Sequence, residues 1–188
     1  MSRNTQMDQK LTYIFGLINE WLRYAETKNG ALVALSGAAL AGVANALSTA
    51  PSIPTLPKVF GICSVLCLAI SCLIALLSFV PRINRWKLSA ARKGVSDIDR
   101  DNLIFFADLS KYTPEEFLDS MALRYFQNDK YATARQKSHL DLANQIIINS
   151  RITSAKFALF KIGVWFLISA VPLGLVAFVC AEFFSLKE

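Results

Sequence analysis

The stretch VFGICSVLCLAISCLIALLSFV, Val59–Val80, runs for 22 residues without a charge. About 20 such residues cross the hydrocarbon core of a bilayer as an α-helix, so this stretch predicts a transmembrane helix. Two more uncharged stretches of similar length are Asn29–Ala50 and Ile162–Ala181. The chain is 54% hydrophobic with a mean hydropathy of +0.39, which is too apolar for an ordinary soluble domain. We therefore expect an all-α, oligomeric membrane protein, with three transmembrane helices and long cytoplasmic helical extensions in each chain.

The positions of the basic residues predict an orientation in the membrane. Four Lys or Arg precede the first apolar stretch and thirteen lie in residues 81–156, whereas residues 51–57 contain none. The positive-inside rule places the basic segments in the cytoplasm. The expected segments are a cytoplasmic amphipathic helix (1–28), transmembrane helices (29–50, 59–80 and 157–184), a short external loop (51–58), a cytoplasmic helical domain (81–156) and an external C-terminus (185–188).

Apolar spacing predicts helices in the cytoplasmic segments. Steps of three and four residues form one helical stripe near the N-terminus, and we expect that helix to continue into the first transmembrane helix. The stripe consists of Met7, Leu11, Ile14, Phe15, Ile18, Trp21, Leu22 and Ala25. Thr113, Pro114 and Glu116 have the spacing of a helix start with a capping box. Residues 101–112 are expected to form a turn or a short strand, and a helix from about Tyr131 is expected to run into the third span.

No residue pattern indicates catalysis. The single histidine, His139, lies among polar residues, and Asp141 is too close in sequence to face it usefully. No glycine-rich phosphate loop follows a strand. The four cysteines all lie in the apolar stretches, where cysteine usually serves as a small packing residue. We expect no enzymatic activity, no cofactor and no metal.

Small residues form one face of the first span. Gly30, Ala34, Ala38 and Gly42 recur at every fourth position, and Asn45 is the one amide within that span. The second span carries a similar face that includes Ser64, Ser71 and Ser78. Small faces let membrane helices approach closely, which allows packing within one subunit. They equally allow packing between subunits around a narrow pore, because small and hydroxyl residues also line water-filled paths. Four leucines and one valine lie largely on another side and are expected to face lipid: Leu32, Leu35, Leu40, Val43 and Leu47.

Two groups of basic residues are candidate ligand sites. The first has no acidic member and follows the second span: Arg82, Arg85, Trp86, Lys87, Arg92 and Lys93. Arg and Lys neutralise phosphates and an aromatic ring stacks on a base, so the group is suited to a nucleotide. A cluster beside a membrane also serves lipid headgroups and topology. The second group is Arg151 and Lys156, for which the alternative is surface solvation or pairing with Glu26.

Three segments resemble the Pycsar-effector transmembrane family. They are ETKNGALVALSGA at 26–38, NLIFFADLSKYTPEEFL at 102–118 and QIIINSRITSAKF at 145–157, with Glu26 and Phe157 in place of the more usual Asp and Tyr. The layout is similar to the compact membrane effectors of Hailong-type systems. The resemblance implies a multi-pass protein of the bacterial inner membrane that serves anti-phage defence. It also implies a nucleotide or short oligonucleotide ligand, made by a neighbouring nucleotidyltransferase or cyclase.

The resulting prediction is an ion-conducting pore gated by that ligand, which depolarises the membrane and arrests growth when active. Three helices are too few to surround a channel, so the pore requires a homo-oligomer in the lipid bilayer, for which we take a tetramer. One alternative is a non-conducting scaffold or regulatory subunit. Another is a holin-like protein that forms large lesions.

Overall fold

The computed structural model describes residues 3–49, 54–80, 96–97, 99–127 and 136–185. These residues contain five helices and no strand, as the expected all-α class requires. The helices are α1 (Arg3–Thr49), α2 (Thr55–Leu77), α3 (Phe106–Leu109), α4 (Pro114–Phe126) and α5 (Lys137–Ser185). Three of them, α1, α2 and α5, are long and apolar enough to cross a membrane. The start of the last helix near Tyr131 lies outside the described residues.

The segment before α4 forms turns and the short helix α3, so the strand alternative is wrong. Asn102 explains the turn, because its side-chain oxygen accepts a hydrogen bond from the backbone N–H of Ile104 at 3.1 Å. The backbone N–H of Asn102 in turn donates to the carboxylate of Asp108 at 3.1 Å. Such side-chain bonds offer the backbone partners that a strand would otherwise supply.

The chain divides into two compact units, and α1 and α5 each contribute to both. The first unit contains residues 1–25 and 81–156, and the second contains residues 26–80 and 157–188. The membrane boundaries expected from charge and hydropathy stay predictions.

The core of the first unit combines one face of α1 with α3, α4 and the start of α5. The predicted stripe of α1 is confirmed at five positions that are buried: Met7, Leu11, Ile14, Ile18 and Ala25. Their buried counterparts include Leu103, Phe106, Leu109, Tyr112, Phe117, Leu118, Met121, Ala143, Ile146 and Ile147. Trp21 packs its ring against the ring of Phe106, with centroids 5.5 Å apart. Burying this apolar surface is the main stabilising contribution in the first unit.

Helix α4 begins and ends where local chemistry dictates. The Thr113 hydroxyl accepts from the backbone N–H of Glu116 at 3.2 Å, and the Glu116 carboxylate accepts from the backbone N–H of Thr113 at 2.9 Å. With Pro114 at the first helical position, the predicted capping box is confirmed. The helix ends at Phe126, and the next residue, Gln127, adopts a left-handed conformation with φ of 48°.

In the second unit, α2 and α5 pack antiparallel through hydroxyl groups and glycines. The Ser64 hydroxyl donates to the carbonyl of Ala170, and the Ser71 hydroxyl donates to the carbonyl of Gly163, both at 2.9 Å. The partners advance seven residues along α2 and retreat seven along α5, which is two turns of each helix. A Cβ added at Gly174 would lie 3.2 Å from the Ser64 hydroxyl oxygen, so the glycine permits this close approach.

Candidate functional site

The serines of the second span serve packing inside the subunit. Ser64, Ser71 and Ser78 are all buried in the single chain. For Ser64 and Ser71 the bonds to α5 show directly what the hydroxyls contact. Within one chain, Ser64 and Ser71 therefore take part in helix packing, and a role of this face in lining a pore stays a prediction.

The small-residue face of α1 behaves differently. Ala34, Ala38, Gly42 and Asn45 are exposed, and a Cβ added at Gly42 would meet no atom within 4 Å. Gly30 is half-buried, and a Cβ added there would lie 3.9 Å from the ring of Phe79. Packing within one subunit therefore does not account for the four exposed positions. We call them the open face of α1.

The open face is exposed because α1 buries its opposite side. Leu32 and Ser36 are buried there. Leu47 fills a notch on α2, since a Cβ added at Gly61 would lie 2.6 Å from its terminal carbon. The expectation of lipid contact is thus wrong for Leu32, which is buried. Leu47 is half-buried against α2, whereas Leu35 is 59% exposed. The leucines enter gaps left by glycine, which gives them more contact than lipid chains would.

The three long helices differ in what they expose. Within residues 29–49 of α1, Leu35 is the only large hydrophobic side chain among the exposed ones. Helix α2 exposes Leu56, Val59, Ile62, Leu66, Ile70, Leu73, Leu76 and Leu77. Helix α5 exposes Ile162, Trp165, Ile168, Val171, Leu175, Val176, Phe178, Val179 and Phe183. Two spans thus present large apolar side chains suited to lipid, and the third presents alanine, glycine and an amide.

The basic cluster predicted after the second span, Arg82, Arg85, Trp86, Lys87, Arg92 and Lys93, lies outside the described residues. Its two interpretations, nucleotide binding and lipid contact, stay predictions. The other group is described. Lys156 is half-buried, and its ligand role likewise stays a prediction.

Arg151 lies inside the first unit rather than on a solvated surface. Its residue exposure is 7%, so the surface-solvation alternative is wrong. Its Nε donates to the carbonyl of Ser110 at 3.1 Å, and an Nη donates to the carbonyl of Tyr112 at 2.8 Å. A guanidinium group presents several N–H donors in a fixed plane, so one side chain holds both carbonyls. Arg151 therefore ties α5 to the loop between α3 and α4.

A groove opens where α5 runs beside the start of α4. Its volume is about 350 Å³. Its lining is Thr113, Pro114, Glu115, Lys137, Leu140, Asp141, Asn144, Ile147 and Arg151, and we call it the polar groove. Of these lining residues, the sequence identified only Arg151 as a candidate for ligand binding. The signal was nonetheless present, because Lys137, Asn144 and Arg151 are spaced by seven residues and so share one helical face.

Sequence reasoning also missed a charged cluster around Lys111. Its ammonium lies 2.6 Å from the carboxylate of Asp101 and 2.7 Å from that of Asp108. Burial acts to raise the pKa of Asp101, but the hydrogen bonds from Lys111 and a backbone N–H outweigh it and hold that pKa below its usual value. The hydrogen bonds to Asp101 and Asp108 raise the pKa of Lys111. Burial, followed by the charge of Asp101, raises the pKa of Tyr112 to about 12. The cluster braces the loop that Arg151 holds.

His139 has a partner that local sequence did not reveal. It is 1% exposed, and its Nε2 lies 2.7 Å from a carboxylate oxygen of Asp8 on α1. Asn149 and Asn19 make a second polar contact between the same helices, with the amide of Asn149 donating at 2.8 Å. These contacts join residues about 130 positions apart in sequence, so they fix the pairing of α1 with α5 in the first unit.

Comparison with known proteins gives one match. A family model described as the Pycsar effector protein domain matches residues 10–181. No match was found among curated proteins or among solved structures.

Proposed function

The chain belongs to the Pycsar effector family of anti-phage defence, and from that premise we propose that it assembles into an ion-conducting pore gated by a nucleotide signal. The effector is not an enzyme in this proposal. It resides in the bacterial inner membrane with its N-terminus in the cytoplasm, and opening depolarises the membrane and arrests growth. A neighbouring cyclase or nucleotidyltransferase supplies the signal.

The observation that carries the proposal is the open face of α1. Small residues let helix backbones approach closely, which is how helices associate in lipid. An amide such as Asn45, which is exposed in the single chain, is costly in hydrocarbon unless it has a hydrogen-bond partner. A second copy of α1 or a water-filled path supplies that partner, whereas lipid does not.

Assembly through α1 also explains how a chain with only three spans can form a pore. One chain cannot surround a channel, but several copies of α1 can form its wall. In that arrangement α2 and α5 face lipid with the large apolar side chains that each exposes. The wall would be narrow and weakly polar, because its side chains are alanine, glycine and asparagine.

The test introduces bulk on the open face. Ala38→Leu and Gly42→Leu should dissociate the oligomer in mild detergent and remove ion flux in liposomes, because a leucine prevents close backbone approach. Cys63→Leu is the matched control, since Cys63 is an exposed small residue on α2. Native mass spectrometry reads the assembly, and ion-sensitive dyes read the flux.

Three results would count against the proposal. Unchanged assembly of both α1 variants would show that the open face is not the contact between copies. An intact wild-type oligomer that conducts no ions with any nucleotide would favour the scaffold. Release of large dextrans together with ions would favour a holin-like lesion.

A further inference from the structure

The polar groove combines the features that a nucleotide needs. Its volume of about 350 Å³ lies at the lower end of the range for small-molecule sites, roughly 300–1,000 Å³. Leu140, Ile147 and Pro114 supply apolar surface. Lys137, Asn144 and Thr113, together with the carboxylates of Glu115 and Asp141, supply polar groups. A base has two apolar faces and a polar edge, while its phosphate is an anion. One nucleotide can therefore contact both the apolar and the polar residues of the groove.

Asn144 is the most informative residue of the groove. Among the described residues its side chain makes no hydrogen bond, although it lies among the lining residues. An asparagine amide offers two donors and one acceptor, which can pair with a base edge or donate to a phosphate. Lys137 lies seven residues earlier on the same face, about 10 Å along the helix axis. Its ammonium pairs with Asp141 at the exposed end of the groove.

The groove has a fixed shape because Arg151 closes one end. The bonds of Arg151 to the carbonyls of Ser110 and Tyr112 hold α5 against the loop that leads into α4. The capping box of Thr113 and Glu116 then fixes the first turn of α4 as the facing wall. A preformed site loses less entropy on binding than one that must be ordered by its ligand.

We propose that the polar groove is the site at which the first unit binds a nucleotide, with Asn144 contacting the base edge or phosphate and Lys137 contacting phosphate. This inference rests on the proposed function for the class of ligand, and adds where the ligand binds. The bound nucleotide contacts α5, the helix that also supplies the third span, and thereby favours one arrangement of that helix.

The experiment measures binding by calorimetry to the full chain in lipid nanodiscs. The probes are the four 3′,5′-cyclic nucleoside monophosphates and a trideoxynucleotide. Asn144→Asp keeps the side-chain size but removes the donors and places a negative charge near phosphate, so affinity should fall at least tenfold. Lys137→Gln should weaken binding and make the affinity less sensitive to salt, because one screened charge pair with the phosphate is lost. Gln145→Glu is the matched control on the adjacent, exposed position outside the groove, and should stay within twofold of wild type.

The outcomes separate the two proposals. Wild-type binding that Asn144→Asp leaves unchanged would overturn the groove as the site and leave the proposed function intact. Wild-type chain that binds none of the probes would overturn the nucleotide signal itself, and the groove as its site would fall with it. A loss confined to the two groove variants supports the inference.

Discussion

Replacing Arg151 by methionine tests the role that the structure gives this residue. The change keeps a long, flexible side chain and removes two hydrogen bonds from a charged donor to carbonyls at 3.1 Å and 2.8 Å. A hydrogen bond to a charged group contributes about 1.5–3 kcal/mol, and a buried acceptor left without a partner adds a desolvation cost. Both carbonyls belong to the same loop, so their losses are not independent. We expect the first unit to lose about 3 kcal/mol of unfolding free energy.

Trp21 supplies a local probe for this measurement. Its ring packs against Phe106 and Phe105, with centroids 5.5 Å and 6.5 Å apart, so its fluorescence reports the first unit. The other two tryptophans, Trp86 and Trp165, are changed to phenylalanine to isolate the signal. Urea unfolding in detergent micelles then follows the unit, and with a slope of about 1.5 kcal/mol/M the midpoint should shift by about 2 M.

Two further variants make the result specific. Arg100→Met is the matched control, because the Arg100 side chain is 89% exposed and its ion pair with Asp97 spans 3.8 Å. It should cost under about 0.5 kcal/mol, as surface pairs usually do. Arg151→Lys can keep one of the two bonds and should fall between wild type and Arg151→Met. Equal midpoints for Arg151→Met and Arg100→Met would refute the reasoning.

Two other predictions follow from contacts in the two units. Lys111→Met leaves the Asp101 carboxylate buried without its cation, which raises its pKa, so the variant should cost about 2 kcal/mol at pH 7. That cost should shrink as the pH falls from 7 to 4 and the carboxyl is protonated, whereas wild type, with its lowered Asp101 pKa, should lose this contribution only below about pH 4. A penalty independent of pH would contradict this. Gly163→Leu should destabilise the second unit by about 2 kcal/mol, because even a Cβ there would lie 2.8 Å from the Leu32 side chain. Gly37→Leu is the control, with no atom within 4 Å, and equal losses in thermal stability would argue against tight packing at Gly163.

The helices were predictable because their signals are local. A stripe with steps of three and four residues identifies one face of α1, and five of its residues are buried. The capping box lies within four residues and fixes the start of α4. The length of each uncharged stretch is sufficient to identify the three spans. None of these predictions requires knowledge of which segments meet.

The candidate site was less predictable because its contacts are distant in sequence. Arg151 meets carbonyls 41 and 39 residues away, and His139 meets a carboxylate 131 residues away. The positive charge of Arg151 favoured a ligand-binding or solvated side chain. In the structure the side chain is buried and holds two backbone carbonyls of the loop before α4. The seven-residue spacing of Lys137, Asn144 and Arg151 could have revealed the groove, but only if polar residues had been searched for periodicity as apolar ones were.

The faces of α1 show why a membrane span is harder to orient than a soluble helix. In water, the apolar side packs inward, because burial of apolar surface drives folding. In lipid, leucine gains no such advantage, and association depends on close contact and polar pairing. Here the leucines at 32 and 47 enter glycine notches of α5 and α2, while Ser64 and Ser71 of α2 bond to α5. The small residues of α2 and α5 named here thus pack inside the chain, whereas those of the open face of α1 are exposed. If another copy packs on this face, as proposed, bulk at Ala38 should break assembly while leaving the packing of α2 against α5 unchanged.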